Sequence, residues 1–386
     1  MGSEQPETFL VSRPLMRRAR EGGLGTKFWS NTLPSAQVWA NGIAPGRPKQ
    51  EETRTMTAHN APAYWLGTDE AGYGARLGPL VVTATCWELM PSIGQALSSA
   101  LESLEVLENC SQAEGEGSRT DLQIRDSKKL FQAGKSLDGL QRVVDAFLLA
   151  IDRNSQPPVS LFQLLQQVTD SESSFDAASF QPYWFRADDH WPVLDSERRD
   201  KDCQQLLTGE VVPWKVCSHA VDEQRFNDGL KSAGNKANFL SQITLQLVQR
   251  VLEVLPEAAT IVVDLDRHGG RKRYLPLLLT AMKADWMTVV VETPEESVYR
   301  WDRPEGVVWF RFSVNGERRM PVAVASMFSK LLRERSMNCF NEYWAEQDSQ
   351  LKRTAGYPVD AARFQRDTHQ LRGNAKLSDE QFWRNA

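Results

Sequence analysis

Two adjacent carboxylates, Asp69 and Glu70, end an apolar run and directly precede a glycine-rich stretch that closes with Gly78 and Pro79. Paired carboxylates at the end of a buried strand cost solvation energy unless a cation or solvent compensates them, and hard divalent cations prefer oxygen ligands. The glycines would let another backbone approach closely. The stretch therefore predicts a metal site beside a nucleic-acid backbone, although an Asp-Glu pair alone is more often an exposed acidic turn.

A dinucleotide-binding loop is an alternative interpretation of the same residues, because Gly72 and Gly74 follow a strand. The spacing differs from that motif, since the next glycine is Gly78. Two carboxylates directly before the loop would also repel a pyrophosphate. Protease, hydrolase and Walker motifs of the HExxH, GxSxG and P-loop types are absent from the sequence. The metal site remains the favoured interpretation.

The elements around these residues indicate an α/β domain. A strand begins at Tyr64, a second covers 80–85, others cover 260–263 and 287–291, and helical periodicity covers 238–255 and 324–340. Strands separated by helices are typical of a mixed sheet. Residues 1–61 have no sustained period and are predicted to be a flexible extension, and 154–215 to be an insertion that forms a subdomain or lid within the domain 62–386.

Composition excludes several classes of protein. No apolar window approaches the ~18 residues that a membrane span needs. The five cysteines form no CxxC pair, which favours a reducing, cytoplasmic location and argues against structural zinc. The net charge of −5, from 45 basic and 50 acidic residues, argues against a wholly electrostatic nucleic-acid binder. An enzyme with a local basic track remains possible.

Four segments resemble, in order, motifs of the type 2 ribonucleases H, the ribonuclease HII and HIII family. They are DEAGYGARLGP at 69–79, DSKKL at 126–130, ASMFSK at 325–330 and GYP at 356–358. The resemblance leaves 1–61 and about 154–215 uncovered. It implies a ribonuclease-H-like domain with a mixed five-stranded sheet flanked by helices. It also implies two Mg²⁺ or Mn²⁺ ions held by four carboxylates, of which Asp69 bridges both ions and Glu70 is the second.

The third carboxylate lies at the end of the strand that begins at Thr260, where both Asp264 and Asp266 are available. Residues two apart in a strand point to the same face, so either or both can reach the metals. Asp266 is slightly favoured, because a turn begins directly after it. Glu317 stands where the family has its fourth carboxylate, an aspartate, and Glu292 is the fallback.

The resemblance further implies recognition of a ribose 2′-hydroxyl at an RNA–DNA junction. The backbone of Gly72, Tyr73 and Gly74 and the Tyr357 hydroxyl would carry it, and Arg76 would replace on charge grounds the arginine that the family has at Tyr73. The 2′-hydroxyl distinguishes RNA from DNA. Predicted contacts to backbone phosphates, which set position without reading sequence, are Ser127, Lys128, Lys129, Ser326 and Lys330.

The densest basic cluster, residues 267–274, directly follows the third carboxylate and contains His268 and Arg271. A basic turn beside a metal centre is suited to binding a phosphate backbone. His268 is also a candidate to protonate the leaving group, because an unperturbed imidazole titrates near neutral pH. A solvated turn with a hydrogen-bonded histidine is an equally good interpretation.

These inferences predict a monomeric nuclease without an obligate protein or membrane partner. It would hydrolyse the RNA strand of RNA–DNA hybrids, or cut at ribonucleotides embedded in duplex DNA, and leave 5′-phosphate and 3′-hydroxyl ends. Tyr73 and Glu317 depart from the family pattern. They motivate two alternatives, a non-catalytic protein that binds hybrids or duplexes and a related nuclease with a shifted substrate.

Overall fold

The computed structural model describes residues 61–97, 136–169, 177–186 and 189–385, together with isolated residues between 104 and 124. All of them belong to the unit Thr53–Ala386. The predicted extension, apart from its last residue, lies outside the described residues, and so does the DSKKL segment with Ser127, Lys128 and Lys129.

A seven-stranded mixed sheet is the centre of the described structure, in the order β3-β2-β1-β4-β7-β6-β5. Antiparallel pairs join β1 to β2, β2 to β3, β5 to β6 and β6 to β7, whereas β4 lies parallel to both β1 and β7. The strands are Ala63–Ala71 (β1), Leu80–Leu89 (β2), Val211–Val221 (β3), Thr260–Asp266 (β4), Thr288–Glu292 (β5), Glu296–Asp302 (β6) and Val307–Ser313 (β7).

Helices cover both faces of the sheet. They are Pro91–Ala96 (α1), Asp138–Ile151 (α2), Leu161–Val168 (α3), Ser196–Leu207 (α4), Glu223–Ala233 (α5), Lys236–Glu253 (α6), Leu275–Met282 (α7), Met320–Gln347 (α8), Pro358–Asp367 (α9), His369–Asn374 (α10) and Asp379–Phe382 (α11). Successive residues of a strand point to opposite faces. Trp65 accordingly packs into one core with Phe328 of α8, and Leu66 into the other with Ile243 of α6.

The long helix α8 approaches β1 closely, and this requires a glycine. A Cβ atom at Gly67 would lie 2.2 Å from the backbone nitrogen of Val322, near the start of α8. Thr85 on β2 donates a hydrogen bond of 2.8 Å to the carbonyl of Pro321, which fixes the same end of the helix. The helix therefore crosses the sheet beside the strand that carries Asp69.

Residues 154–215 belong partly to the main core. Trp184 and Trp191 are 0% and 5% exposed and lie in the same hydrophobic cluster as the α8 side of the sheet. Trp344 of α8 donates a hydrogen bond to the Tyr183 hydroxyl, and Arg335 of α8 stacks on the Trp191 ring. Trp184 and Trp191 thus pack against α8, whereas α4 packs on α2 through the pair Asp202 and Arg142. The last five residues of the segment already belong to β3.

The predicted mixed α/β sheet flanked by helices is confirmed, but the predicted number of five strands is wrong. Of the seven strands, β5 corresponds to the strand predicted at 287–291, whereas β3, β6 and β7 were not among the predicted strands. Within the described part of the chain, no helix is both long and apolar enough to cross a membrane.

Candidate active site

The parallel strands β1 and β4 bring two aspartates to the same end of the sheet. Gly67 is paired with Asp264 and Thr68 with Leu265, so Asp69 and Asp266 follow at the adjacent carboxyl ends of the two strands. Asp69 is 6% exposed. Its backbone carbonyl accepts a hydrogen bond of 3.0 Å from Ser329 of α8, which ties the end of β1 to that helix.

Four carboxylates from three separate stretches of the chain act on one another at this point. Burial raises the pKa of Asp69 well above its ordinary value, and the negative charges of Glu70, Glu317 and, least of the causes, Asp266 raise it further. A hydrogen bond from Ser326 acts in the opposite direction, because it favours the ionised carboxylate. A buried carboxylate surrounded by like charges is a site of excess negative potential.

A short 3-10 turn, Gly316–Arg318, carries Glu317 to the cluster. Asn315 precedes the turn in the left-handed conformation, with φ of 58°. The backbone nitrogen of Gly316 donates a hydrogen bond of 3.0 Å to Asp266 Oδ1, so the turn is attached to β4. The connection from β7 to α8 therefore positions Glu317 beside Asp69.

The donor set fits hard divalent cations, because it consists of carboxylate oxygens. Among the described residues, however, no group of three or more His, Cys, Asp or Glu side chains is arranged as a ready-made site for one ion. Glu70, Glu317 and Asp266 each act electrostatically on Asp69.

Asp264 has a different environment from Asp266, although both belong to β4. Arg311 of β7 donates hydrogen bonds of 2.5 and 2.9 Å to its two carboxylate oxygens, and Trp65 donates another of 2.6 Å. Arg319 lies 3.5 Å away. Burial alone would raise the pKa of Asp264, but the arginines Arg311 and Arg319 hold it below its ordinary value.

The structure thus separates the two candidates for the third carboxylate. Asp264 is fully buried and its charge is compensated by arginines, whereas Asp266 is partly exposed and its negative charge raises the pKa of Asp69. The fallback Glu292 is engaged elsewhere, with the Tyr299 hydroxyl at 2.6 Å and Arg273 at 3.5 Å. Asp264 and Glu292 are therefore not members of the cluster.

The glycine-rich loop 72–79 connects β1 to β2 and contacts the GYP segment. Gly356 accepts hydrogen bonds of 2.7 and 3.2 Å from the amides of Arg76 and Leu77. Its φ of +81° is left-handed, and a Cβ there would lie 2.4 Å from the Leu77 carbonyl oxygen. Arg333 of α8, 3% exposed, donates to carbonyls on both sides of this contact, at Pro79 and Ala355.

The side chains predicted to contact the ribose are at the surface of this loop to different degrees. Gly74 is exposed, with no atom within 4 Å of a Cβ built on it. Tyr73 is half-buried beside Lys236, whose ammonium lies 4.9 Å from the ring centroid. Tyr357 is 50% exposed, near the Arg333 guanidinium. Arg76 is half-buried and donates to the carbonyl of Arg384.

Two predicted phosphate contacts on α8 differ in exposure. Ser326 is 4% exposed and hydrogen-bonds Asp69, so it acts on a carboxylate. Lys330 is half-buried, and its charge lowers the pKa of Glu334, which burial raises. Lys330 remains the better placed of the two for an external phosphate.

His268 does not occupy the position expected of a substrate contact. It is 2% exposed, lies 2.9 Å from the Ser241 hydroxyl through Nδ1, and packs edge-on against Tyr274 and Phe312. Burial, assisted by Arg271, lowers the pKa of His268 to about 3. The imidazole is therefore neutral at physiological pH. The prediction that it contacts the substrate needs correction, because the side chain belongs to the core. Arg271 is half-buried and donates to Asn238.

Sequence reasoning missed two buried charges beneath the glycine-rich loop. Glu223, at the start of α5, accepts a hydrogen bond of 2.8 Å from the Gly78 amide, and Arg384 donates one of 2.7 Å to the Gly72 carbonyl. Nothing in the local sequence distinguishes either residue from a surface charge. The role of Arg311 did have a signal, because this arginine interrupts the apolar run of β7.

No protein-family model and no curated protein sequence matches the chain. Among solved structures, it is similar to the RNase HII of the PCNA:RNase HII complex from Archaeoglobus fulgidus, with 13% identity over 83% of this chain and 93% of that one and a TM-score of 0.36. Ribonuclease H2 from Pyrococcus horikoshii OT3 is 12% identical to this chain, and the match covers 83% of this chain and 92% of that one, with a TM-score of 0.39. Aquifex aeolicus RNase H3 is 14% identical to this chain, and the match covers 83% of this chain and 70% of that one, with a TM-score of 0.32.

Proposed function

We propose that this protein is a metal-dependent nuclease that hydrolyses the RNA strand of RNA–DNA hybrids or cuts at ribonucleotides embedded in duplex DNA. The observation that carries the proposal is that Glu70, Asp266 and Glu317, from three stretches of chain, act on the buried carboxylate of Asp69.

The contacts between distant segments support the same proposal. The segments at 69–79, 325–330 and 356–358, which resemble family motifs, meet in space, although nearly 290 residues separate Asp69 from Pro358. The amides of Arg76 and Leu77 bind Gly356, and Ser329 binds the carbonyl of Asp69. A nuclease needs such an arrangement, because carboxylates and backbone-binding groups must lie side by side.

Asp69, Glu70, Asp266 and Glu317 would hold two Mg²⁺ or Mn²⁺ ions. When bound, such ions activate a water nucleophile and stabilise the leaving 3′-oxygen of a phosphodiester. The chain itself orients the ligands: Ser326 favours the ionised form of Asp69, and the Gly316 amide holds one oxygen of Asp266.

Substrate binding is proposed for the exposed side of the glycine-rich loop. Gly74 has open space above it and would let a sugar-phosphate backbone approach. Tyr357 is 50% exposed and directly follows Gly356, which accepts the amides of Arg76 and Leu77. Tyr73 is half-buried in the loop, and Lys330 is half-buried on α8. Contacts to the sugar-phosphate backbone position the nucleic acid, and a contact to the ribose 2′-hydroxyl would distinguish RNA from DNA. We further propose that the protein acts as a monomer in the cytoplasm.

The test is a panel of end-labelled duplexes incubated with Mg²⁺, Mn²⁺ or EDTA: a full RNA–DNA hybrid, DNA with a single embedded ribonucleotide, and all-DNA. Glu317→Gln is compared with Glu292→Gln as a matched control, because Glu292 bonds Tyr299 away from the cluster. Loss of a ligand carboxylate should lower the cleavage rate by roughly a hundredfold or more. The control should cut at the wild-type rate.

Three outcomes distinguish the candidate functions. Metal-dependent cutting of the hybrid or the embedded ribonucleotide, lost in Glu317→Gln alone, supports the proposal. Binding of the hybrid in a gel shift without cutting in either metal identifies a non-catalytic binding protein. Cutting of all-DNA at an equal rate identifies a nuclease with a shifted substrate.

A further inference from the structure

The last residues of the described chain, 378–385, form a C-terminal strap on α5. Asn227 donates side-chain hydrogen bonds of 2.9 and 2.8 Å to the carbonyls of Glu380 and Trp383, and accepts one of 2.7 Å from the amide of Asn385. Ser378 caps α11 with a capping box. These hydrogen bonds anchor the backbone of the strap and do not involve the side chain of Arg384.

That side chain packs on Phe226 of α5 and also reaches the glycine-rich loop. Arg384 is 0% exposed, and its Nη1 donates a hydrogen bond of 2.7 Å to the carbonyl of Gly72, two residues after Glu70. Its backbone amide donates a hydrogen bond of 2.9 Å to the carbonyl of Arg76, and the guanidinium of Arg76 donates one of 3.1 Å to the carbonyl of Arg384. The strap thus contacts both the beginning and the middle of the loop.

This contact requires a fully buried guanidinium, that of Arg384. Burying a guanidinium is costly unless it is well compensated. Here the ring of Phe226 lies 3.9 Å from Arg384 Cζ, and the Glu223 carboxyl, whose pKa burial raises to about 7, lies nearby. Burial, with the neighbouring charge of Arg333, lowers the pKa of Arg384 to about 9, so it remains charged at neutral pH. Glu223 in turn accepts the bond from Gly78 at the far end of the loop.

We propose that Arg384 is a positioning residue of the candidate active site, which holds the Gly72 carbonyl and thereby sets the direction in which the glycine-rich loop leaves β1 directly after Glu70 and Ala71. This inference rests on the proposed function for its catalytic consequence, but not for its structural part. A role limited to anchoring the chain end is already filled by Asn227, whose three bonds do not involve the loop.

The experiment compares Arg384→Ala and Arg384→Lys with Arg303→Ala in the full-length protein. Arg303 is a suitable control because its guanidinium also donates to a backbone carbonyl, that of Ala259 before β4, away from the loop. Hydrogen exchange is followed at the amides of residues 75–78, all of which are hydrogen-bonded. Cleavage kinetics on the duplex panel and duplex affinity in EDTA are measured on the same samples.

Arg384→Ala should accelerate exchange at these amides by about tenfold to a hundredfold, the range expected when a charged hydrogen bond is lost. It should lower kcat while duplex affinity in EDTA stays within the range of the control. Arg384→Lys, which keeps the charge and one donor, should lie between wild type and Arg384→Ala and remains informative if Arg384→Ala does not fold. Equal loop exchange in Arg384→Ala and Arg303→Ala, or in Arg384→Lys and wild type, overturns the inference. Accelerated loop exchange in a protein whose wild type cuts no duplex supports the positioning and refutes the proposed function.

Discussion

Replacement of Asp69 by Asn should stabilise the protein in the absence of divalent ions. Asp69 is 6% exposed, and burial and three neighbouring carboxylates raise its pKa well above the ordinary 3.8. Between 3.8 and that raised value the folded protein binds more protons than the unfolded chain. The contribution of Asp69 to stability is therefore complete below pH ~4 and is lost as the pH rises through the folded-state pKa.

Asp264→Asn should have the opposite effect, although Asp264 is equally buried and belongs to the neighbouring strand. The arginines Arg311 and Arg319 hold the pKa of Asp264 below 3.8 in spite of its burial. Its stabilising contribution is therefore present above pH 3.8, the ordinary pKa, and is lost as the pH falls through the lower folded-state pKa. Removing one partner of a buried ion pair costs about 3–5 kcal/mol, because the arginines lose their compensation.

For Asp69→Asn the expected gain at pH 8 in EDTA is about 1–3 kcal/mol, the usual cost of burying a polar group without full compensation. A gain of this size raises Tm by a few degrees, and the loss in Asp264→Asn lowers it by on the order of 10 °C. Thermal unfolding followed by tryptophan fluorescence at pH 8 and pH 4 measures both. The advantage of Asp69→Asn should disappear at pH 4, where the wild-type carboxylate is protonated.

Mn²⁺ provides a second readout from the same samples, because an ion that binds only the folded state stabilises it. The wild type should gain Tm with added Mn²⁺, and Asp69→Asn should gain less. A lower Tm for Asp69→Asn than for wild type at pH 8 in EDTA would refute the electrostatic account of the cluster. A neutral Asp264→Asn would refute the assignment of Asp264 to the arginine pair.

Two further predictions concern residues near the site. Gly78→Ala should lower the free energy of unfolding, measured in urea, by about 2–4 kcal/mol, because φ is +76° and the new Cβ would lie 2.2 Å from Met337 Sδ. Gly74→Ala is the control and should unfold like wild type, because there is open space around Gly74. Equal urea midpoints for the two variants would contradict the contact between Gly78 and Met337. His268, whose pKa burial lowers from 6.5 to about 3, should make the protein less stable by about 2 kcal/mol at pH 5 than at pH 7.5, because the unfolded chain binds a proton that the buried ring does not. His268→Gln should remove that part of the pH dependence, and an unchanged slope in this variant would show that the acid sensitivity has another origin.

Strong periodic patterns in the sequence correspond well to elements of the fold. The helix predicted at 238–255 is α6, Lys236–Glu253, and the apolar run at 260–263 opens β4. The strand β6 was missed, since Glu296, Arg300 and Asp302 give it no apolar run. The strands β3 and β7 were not among the predicted strands either, and the sheet has seven strands where five were predicted. Cross-strand pairing and burial against one face decide such strands, and neither is visible in a local window.

Within the site, sequence alone identified the residue types and the segments that carry them. The pair Asp69 and Glu70, the choice between Asp264 and Asp266, and Glu317 were all recognisable as candidate carboxylates. Period-two geometry placed Asp264 and Asp266 on the same face but could not separate them. Their roles differ because Arg311 is paired with Asp264 across β4 and β7, and this register forms only when the sheet assembles.

The sequence by itself determined that the protein has a mixed α/β domain with carboxylates at a strand end next to a glycine-rich loop. These features follow from hydrophobic periodicity and from residue types, which are local properties. Only the tertiary structure decided that Asp69 is buried among like charges, that His268 is a neutral core residue, and that Arg384 reaches the loop from more than 300 residues away. A pKa or a hydrogen bond depends on which groups surround an atom in space, and long-range packing sets those surroundings.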